Sequence, residues 1–82
     1  MTDEQKQADR YRIGHRIAAL RKAIKWKDNE GKTQEGITQA QLAERCGLAQ
    51  SHIARIENGR YSVGFDQLQV IADALGKKVD IV

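Results

Sequence analysis

Residues 38–60 read TQAQLAERCGLAQSHIARIENGR, two short helical patterns hinged on a single glycine, Gly47. Apolar side chains recur at helical spacing on both arms: Leu42 and Ala43 before the hinge, Ile53 and Ile56 after it. A pair of eight- to ten-residue helices cannot stand alone in water, so each must bury its stripe against the other. Glycine is the residue that most cheaply takes the left-handed backbone of a sharp turn between them. The segment therefore constrains the chain to a helix–turn–helix corner with one shared apolar seam.

The flanks extend this pattern. Ile13, Ile17, Leu20 and Ile24 form an amphipathic stripe on a first helix, with Gly14 the one glycine inside a helical pattern. That helix can begin at Thr2, which has capping-box spacing to Gln5, although residues before Ala8 have little to bury and are expected to fray. Thr38 and Gln41 form a second capping box at the start of helix two. The third helix is expected over residues 49–58, stopping at Gly59. The fourth spans 65–75, with Phe65, Leu68, Ile71, Ala72 and Leu75 inward and Gly76 as its stop. Residues 27–36, KDNEGKTQEG, are polar with two glycines and read as a loop. Near the end, Val79 and Ile81 alternate with Lys78 and Asp80, the pattern of a half-buried strand over residues 77–82.

Composition excludes several classes. With 82 residues the chain makes one domain, residues 1–82, whose core is small enough to be marginal. One cysteine allows no intrachain disulfide, and Cys46, His15 and His52 lack the ligand-pair spacing of a zinc site. Cys46, late in helix two, reads as a small core residue rather than a redox group. No cofactor and no metal are expected. No apolar run is long enough for a membrane span and no signal-peptide pattern is present, so the cytoplasm is the expected compartment. No nucleophile–base arrangement, carboxylate pair or phosphate-binding glycine loop suggests an enzyme. The formal net charge of +3 suits a nucleic-acid partner without demanding one.

On a helical wheel the third helix separates two faces. Ile53 and Ile56 point one way; Ser51, Ala54, Arg55 and Asn58 point the other, with Gln50 at the edge near the helix start. These short or planar hydrogen-bonding groups suit base edges, glutamine pairing with adenine and arginine with guanine through two bonds each. An ordinary solvated face has a similar composition, and composition alone leaves the two readings level.

The T-Q-x-x-L-A-x-x-x-G-L stretch followed by I-x-x-I-E-N-G-R resembles the helix-turn-helix domain of the Cro and phage-repressor (XRE) family. The resemblance covers roughly residues 13–75. It implies an all-α fold: a four- to five-helix repressor-like DNA-binding domain, here with a short C-terminal β-strand, that binds operator DNA as a homodimer. By position, Gln39 would meet a phosphate and buttress Gln50. Ala49, Gln50, Ser51 and Arg55 fall where the family reads bases, and Asn58 and Arg60 where it grips phosphate. Arg21 and Glu57 match positions that form a partly buried ion pair. The implied function is a sequence-specific transcriptional regulator, a repressor, acting on cytoplasmic, nucleoid-associated duplex DNA. The alternative is an antitoxin, binding DNA and a toxin protein through the first helix and the C-terminal strand.

Three features depart from the family pattern. Ala49 stands where Ser or Thr is common, which removes a capping hydroxyl. The connection from Arg21 to Thr38 is longer than the family's compact turn, and holds Trp26 and Lys22, Lys25, Lys27 and Lys32 offset by Asp28, Glu30 and Glu35. A longer first helix with Trp26 capping the core, then an idle loop, is favoured over an added phosphate contact through Lys27 or Lys32. The third departure is the strand at 77–82. It has no second strand in the chain, and self-pairing across a two-fold axis would give it one.

Overall fold

The computed structural model describes residues 2–79. Four helices and one hairpin follow in the order α1 (Asp3–Ala23), β1 (Lys25–Lys27), β2 (Thr33–Glu35), α2 (Gln39–Cys46), α3 (Gln50–Glu57) and α4 (Phe65–Ala74). α1 starts at Thr2, where both arms of the capping box form: Gln5 N donates to Thr2 Oγ1 and Thr2 N to Gln5 Oε1. Asp3 and Glu4 in the first turn and Arg21 and Lys22 in the last complement the helix dipole. Every side chain from Thr2 to Ala8 is exposed, as the lack of apolar residues there requires.

The core lies where α1, α2, α3 and α4 converge. Leu42, Ile53, Ile56 and Ile71 are fully buried, joined by Ile17, Ile37, Ala43 and Leu75. The seam expected from Leu42, Ala43, Ile53 and Ile56 is thus the centre of the molecule. Each fully buried aliphatic contributes about 1.5–3 kcal/mol. Phe65, expected inward, is instead 63% exposed. It is the first residue of α4, a turn short of the packed stretch, and Leu68 and Ile71 take the core positions.

Gly14 explains how α1 reaches α3 so closely. A Cβ at this position would fall 2.7 Å from the carbonyl oxygen of Glu57 and closer still to that of Ile56. Only a residue without a side chain lets the two helices touch here. Gly47, at φ 69°, closes α2: its N–H bonds to Glu44 O and that of Leu48 to Ala43 O, so two free carbonyls are satisfied and the chain turns sharply into α3.

The connection expected to be a loop is a β-hairpin. β1 and β2 pair antiparallel with Lys25 opposite Glu35, Trp26 opposite Gln34 and Lys27 opposite Thr33. Turn chemistry builds it. Asp28 Oδ1 accepts from the amides of Glu30 and Lys32, Gly31 N donates to Asp28 O, and Gly31 takes the left-handed conformation at φ 78°. Nor does α1 extend to Trp26; it ends at Ala23. Trp26 does pack against the core, but from β1, with its indole N–H donating to Gly36 O at 2.8 Å.

The strand expected over 77–82 is not found in its described part. Residues 77–79 are irregular, and residues 80–82 lie outside the described residues. Lys77 N is used to close α4, bonding to Ala72 O.

Candidate nucleic-acid interface

α3 is eight residues long, and its inner face is set by Ile53 and Ile56. That fixes the outer face. Gln50, Ser51 and Arg55 are exposed along it, with Ala49 just before it and Asn58 and Arg60 just beyond it. Six of the seven residues expected at the interface are therefore exposed, on α3 or directly beside it. The seventh, Gln39, is half-buried.

The amino-terminal ends of α2 and α3 differ in their caps. Thr38 caps α2 with a full capping box, Thr38 Oγ1 accepting from Gln41 N and Gln41 Oε1 from Thr38 N. Ala49 offers α3 no side-chain cap. Of the first-turn amides of α3, that of His52 donates to Ala49 O, while those of Gln50 and Ser51 stand at the positive end of the helix dipole without a side-chain cap.

Arg60 is placed by backbone rather than by its side chain. Its N–H donates to Arg55 O at 2.9 Å and that of Gly59 to Ile56 O, a motif that folds the chain back after α3. Tyr11 of α1 packs on this turn: a Cβ on Gly59 would lie 3.0 Å from Tyr11 Cγ.

Behind the exposed face of α3 sits the ion pair. Arg21 Nε donates to Glu57 Oε2 at 2.8 Å and Nη2 to Glu57 Oε1 at 2.9 Å, while Nη1 donates to Ile37 O at 2.8 Å. Both side chains are buried. Gln39 Nε2 adds a third donor to the carboxylate, 3.1 Å from Glu57 Oε1. The Arg21–Glu57 pair thus ties together α1, the turn before α2, α2 itself and α3. The side-chain amide of Gln39, expected to brace Gln50, braces Glu57 instead, because the buried carboxylate is the stronger acceptor within its reach.

A second network lies beside Arg55, and the sequence reading did not single it out. The Arg55 guanidinium carbon is 5.9 Å from the centroid of the Tyr61 ring. Tyr61 meets His52 edge to face at 4.5 Å, and His52 Nε2–H donates to Gln67 Oε1 at 2.9 Å. In the sequence His52 stands out only as one of three residues of metal-ligand type. Tyr61 lies past the end of α3, so no helical period relates it to Arg55.

Cys46 packs half-buried against the core, and burial pushes its thiol up from the ordinary range, away from the reactive thiolate. Among the described residues no cluster of His, Cys, Asp and Glu could hold a metal ion, and no helix is long and apolar enough to cross a membrane.

Comparison with known proteins matches this geometry. A family model described as helix-turn-helix covers residues 31–82. The chain is 37% identical over 70 residues to an immunity repressor protein of Bacillus phage phi105, covering 85% of this chain and 41% of that protein. It is 41% identical over 49 residues to an uncharacterized HTH-type transcriptional regulator of Methanothermobacter thermautotrophicus, covering 60% of this chain and 71% of that one. The chain thus spans less than half the length of the phage repressor. No solved structure matches it. With the family model covering more than half of the chain, and the hinged pair α2–α3 in place, the chain belongs to the helix-turn-helix family of the Cro and phage-repressor (XRE) type, a family of DNA-binding transcriptional regulators.

Proposed function

We propose that the chain is a sequence-specific duplex-DNA-binding repressor that works without enzyme chemistry, as a homodimer. The observation that carries this reading is the exposed strip of α3: Gln50, Ser51 and Arg55 stand outward on a helix whose opposite face is locked into the core. α3 enters the major groove. Gln50 and Arg55 then read base edges, Ser51 and the uncapped amides after Ala49 approach the groove wall, and Asn58 and Arg60 hold the backbone beyond it. Gln39, at the start of α2, contacts phosphate through whatever bonding capacity Glu57 leaves it.

What supports the homodimer is a groove between α1 and α4, lined by Ile13, Ile17, Leu20 and Leu68 together with Arg12, Arg16, Lys77 and Lys78, whose apolar part a second copy covers. Repression is steric: the dimer occupies an operator. Selection of bound duplexes from a random pool tests both parts. The expected consensus is a palindrome whose half-sites lie about one helical turn apart, 10–10.5 bp. An unselected pool after repeated rounds would overturn DNA reading by α3, and a single unrepeated half-site would overturn the dimer.

A further inference from the structure

We propose that Tyr61 is a positioning residue that holds Arg55 ready for base contact, with His52 and Gln67 anchoring it to α4. The proposal rests on the DNA-binding reading above. An arginine on an open helix face samples many rotamers, and ordering it on binding costs affinity. Arg55 is not in that position. Its guanidinium lies within cation–π range of the Tyr61 ring.

The contact holds the guanidinium without consuming its hydrogen-bonding capacity. A cation–π attraction takes up none of the guanidinium N–H groups, and those are the donors a guanine edge accepts from. Among the described residues no carboxylate pairs with Arg55 and no acceptor takes its side-chain donors. Arg21 shows the contrast: its Nε, Nη1 and Nη2 are all committed to Glu57 and Ile37, which makes it a structural arginine.

Tyr61 is itself fixed. Its ring meets the edge of His52, at an interplanar angle of 70°, and His52 is tied to Gln67 on α4. The line Arg55–Tyr61–His52–Gln67 therefore runs from the proposed reading surface to the last helix. Tyr61 is 37% exposed and outside the buried core, so its ring is not needed to fill the interior.

The test compares Tyr61→Phe, which keeps the ring, with Tyr61→Leu, which keeps apolar bulk and loses the π-face, using Arg55→Ala as reference. Duplexes selected from a random pool identify the base pair whose preference disappears in Arg55→Ala. At that base pair Tyr61→Leu is expected to lose about two- to fivefold in discrimination, the worth of an exposed cation–π contact. Tyr61→Phe is expected to keep it. The salt slope of binding should stay at its wild-type value in both, since no charge is altered. The melting temperature should hold in Tyr61→Phe and fall by a few degrees in Tyr61→Leu, which also loses the edge contact with His52. In the free protein, ring-current shifts of the Arg55 side-chain resonances should persist in Tyr61→Phe and vanish in Tyr61→Leu. Full discrimination in Tyr61→Leu would overturn the proposal, as would an equal loss in Tyr61→Phe, which would assign the effect to the hydroxyl. If Arg55→Ala alters no base preference, the reading of DNA by α3 fails and positioning for it fails too, while the ring-current shifts still report whether the contact exists.

Discussion

Gly14→Ala is expected to destabilise the fold, against the sign that helix propensity alone assigns it. In a free helix interior the change to alanine gains about 0.8–1 kcal/mol. Here the new Cβ would fall 2.7 Å from Glu57 O, 3.0 Å from Glu57 C, and closer still to Ile56 O. All three are backbone atoms of α3, so no side chain can rotate away. Restoring an ordinary carbon–oxygen separation of about 3.3 Å requires α1 and α3 to part by well over half an ångström, because the contact with Ile56 O is the closest. A gap of that size forfeits about a quarter to a half of the dispersion attraction at each contact along the interface. It also stretches the bonds from Arg21 to Glu57, now 2.8 and 2.9 Å. Overpacking of this kind costs about 1–3 kcal/mol, and rigid backbone on both sides places it in the upper half. Subtracting the propensity gain leaves a net loss of about 1–2 kcal/mol. For a domain of this size that lowers Tm by about 4–8 °C per kcal/mol. Urea and thermal unfolding of the purified variant measure it. A midpoint at or above wild type would refute the close approach of α1 to α3.

Three further outcomes follow from other parts of the structure. Glu57→Ala leaves the Arg21 guanidinium buried without its partner and should cost about 3–5 kcal/mol, whereas exposed Glu44→Ala should stay within about 0.5 kcal/mol; equal urea midpoints would remove the buried-pair argument. Ala49→Ser supplies the cap that α3 lacks and should stabilise by about 1 kcal/mol in thermal unfolding; no gain would mean that the first-turn amides are already satisfied. The Asp28 carboxyl lies below its ordinary value near 3.8 because the Gln34 side chain, the Lys32 amide and the Glu30 amide donate to its charged form. Its support of the hairpin is therefore complete above that ordinary value and lost as pH falls through the lower folded one. Below about pH 4 the Glu30 and Lys32 amide resonances should move before those of the helices, and a carboxyl titrating at or above 3.8 would contradict the turn geometry.

The helical frame was legible where local start or stop signals agree with the apolar period. Thr2 with Gln5, Thr38 with Gln41, and Gly47 act within a few residues, so one sequence suffices to read them. The hairpin was missed for the converse reason. Its strands hold a single apolar residue, Trp26, and no alternation, so a search for periodicity finds nothing. The signal that existed was the turn: an aspartate, then Gly31 three residues on, the chemistry of a tight turn within a short hairpin loop. Phe65 misled because hydrophobicity marks a helix face only when the residue lies within the packed length. The exposed face of α3 was readable from its helical wheel. The bond from Gln39 to Glu57 and the contact of Tyr61 with Arg55 were not, since both join residues from different elements that no spacing rule relates.

The central claim is that α3 reads bases and the turn after it holds phosphate. Binding of Arg55→Ala and Arg60→Ala to the selected duplex and to single-base variants of it, each across a range of salt, tests this most directly. Arg55→Ala should lose about 1–3 kcal/mol on the selected duplex, with the loss confined to one base-pair position. Arg60→Ala should weaken all duplexes alike and reduce the steepness of the salt dependence by about one contact. An Arg55→Ala variant that binds with unchanged affinity and unchanged base preference would contradict the account.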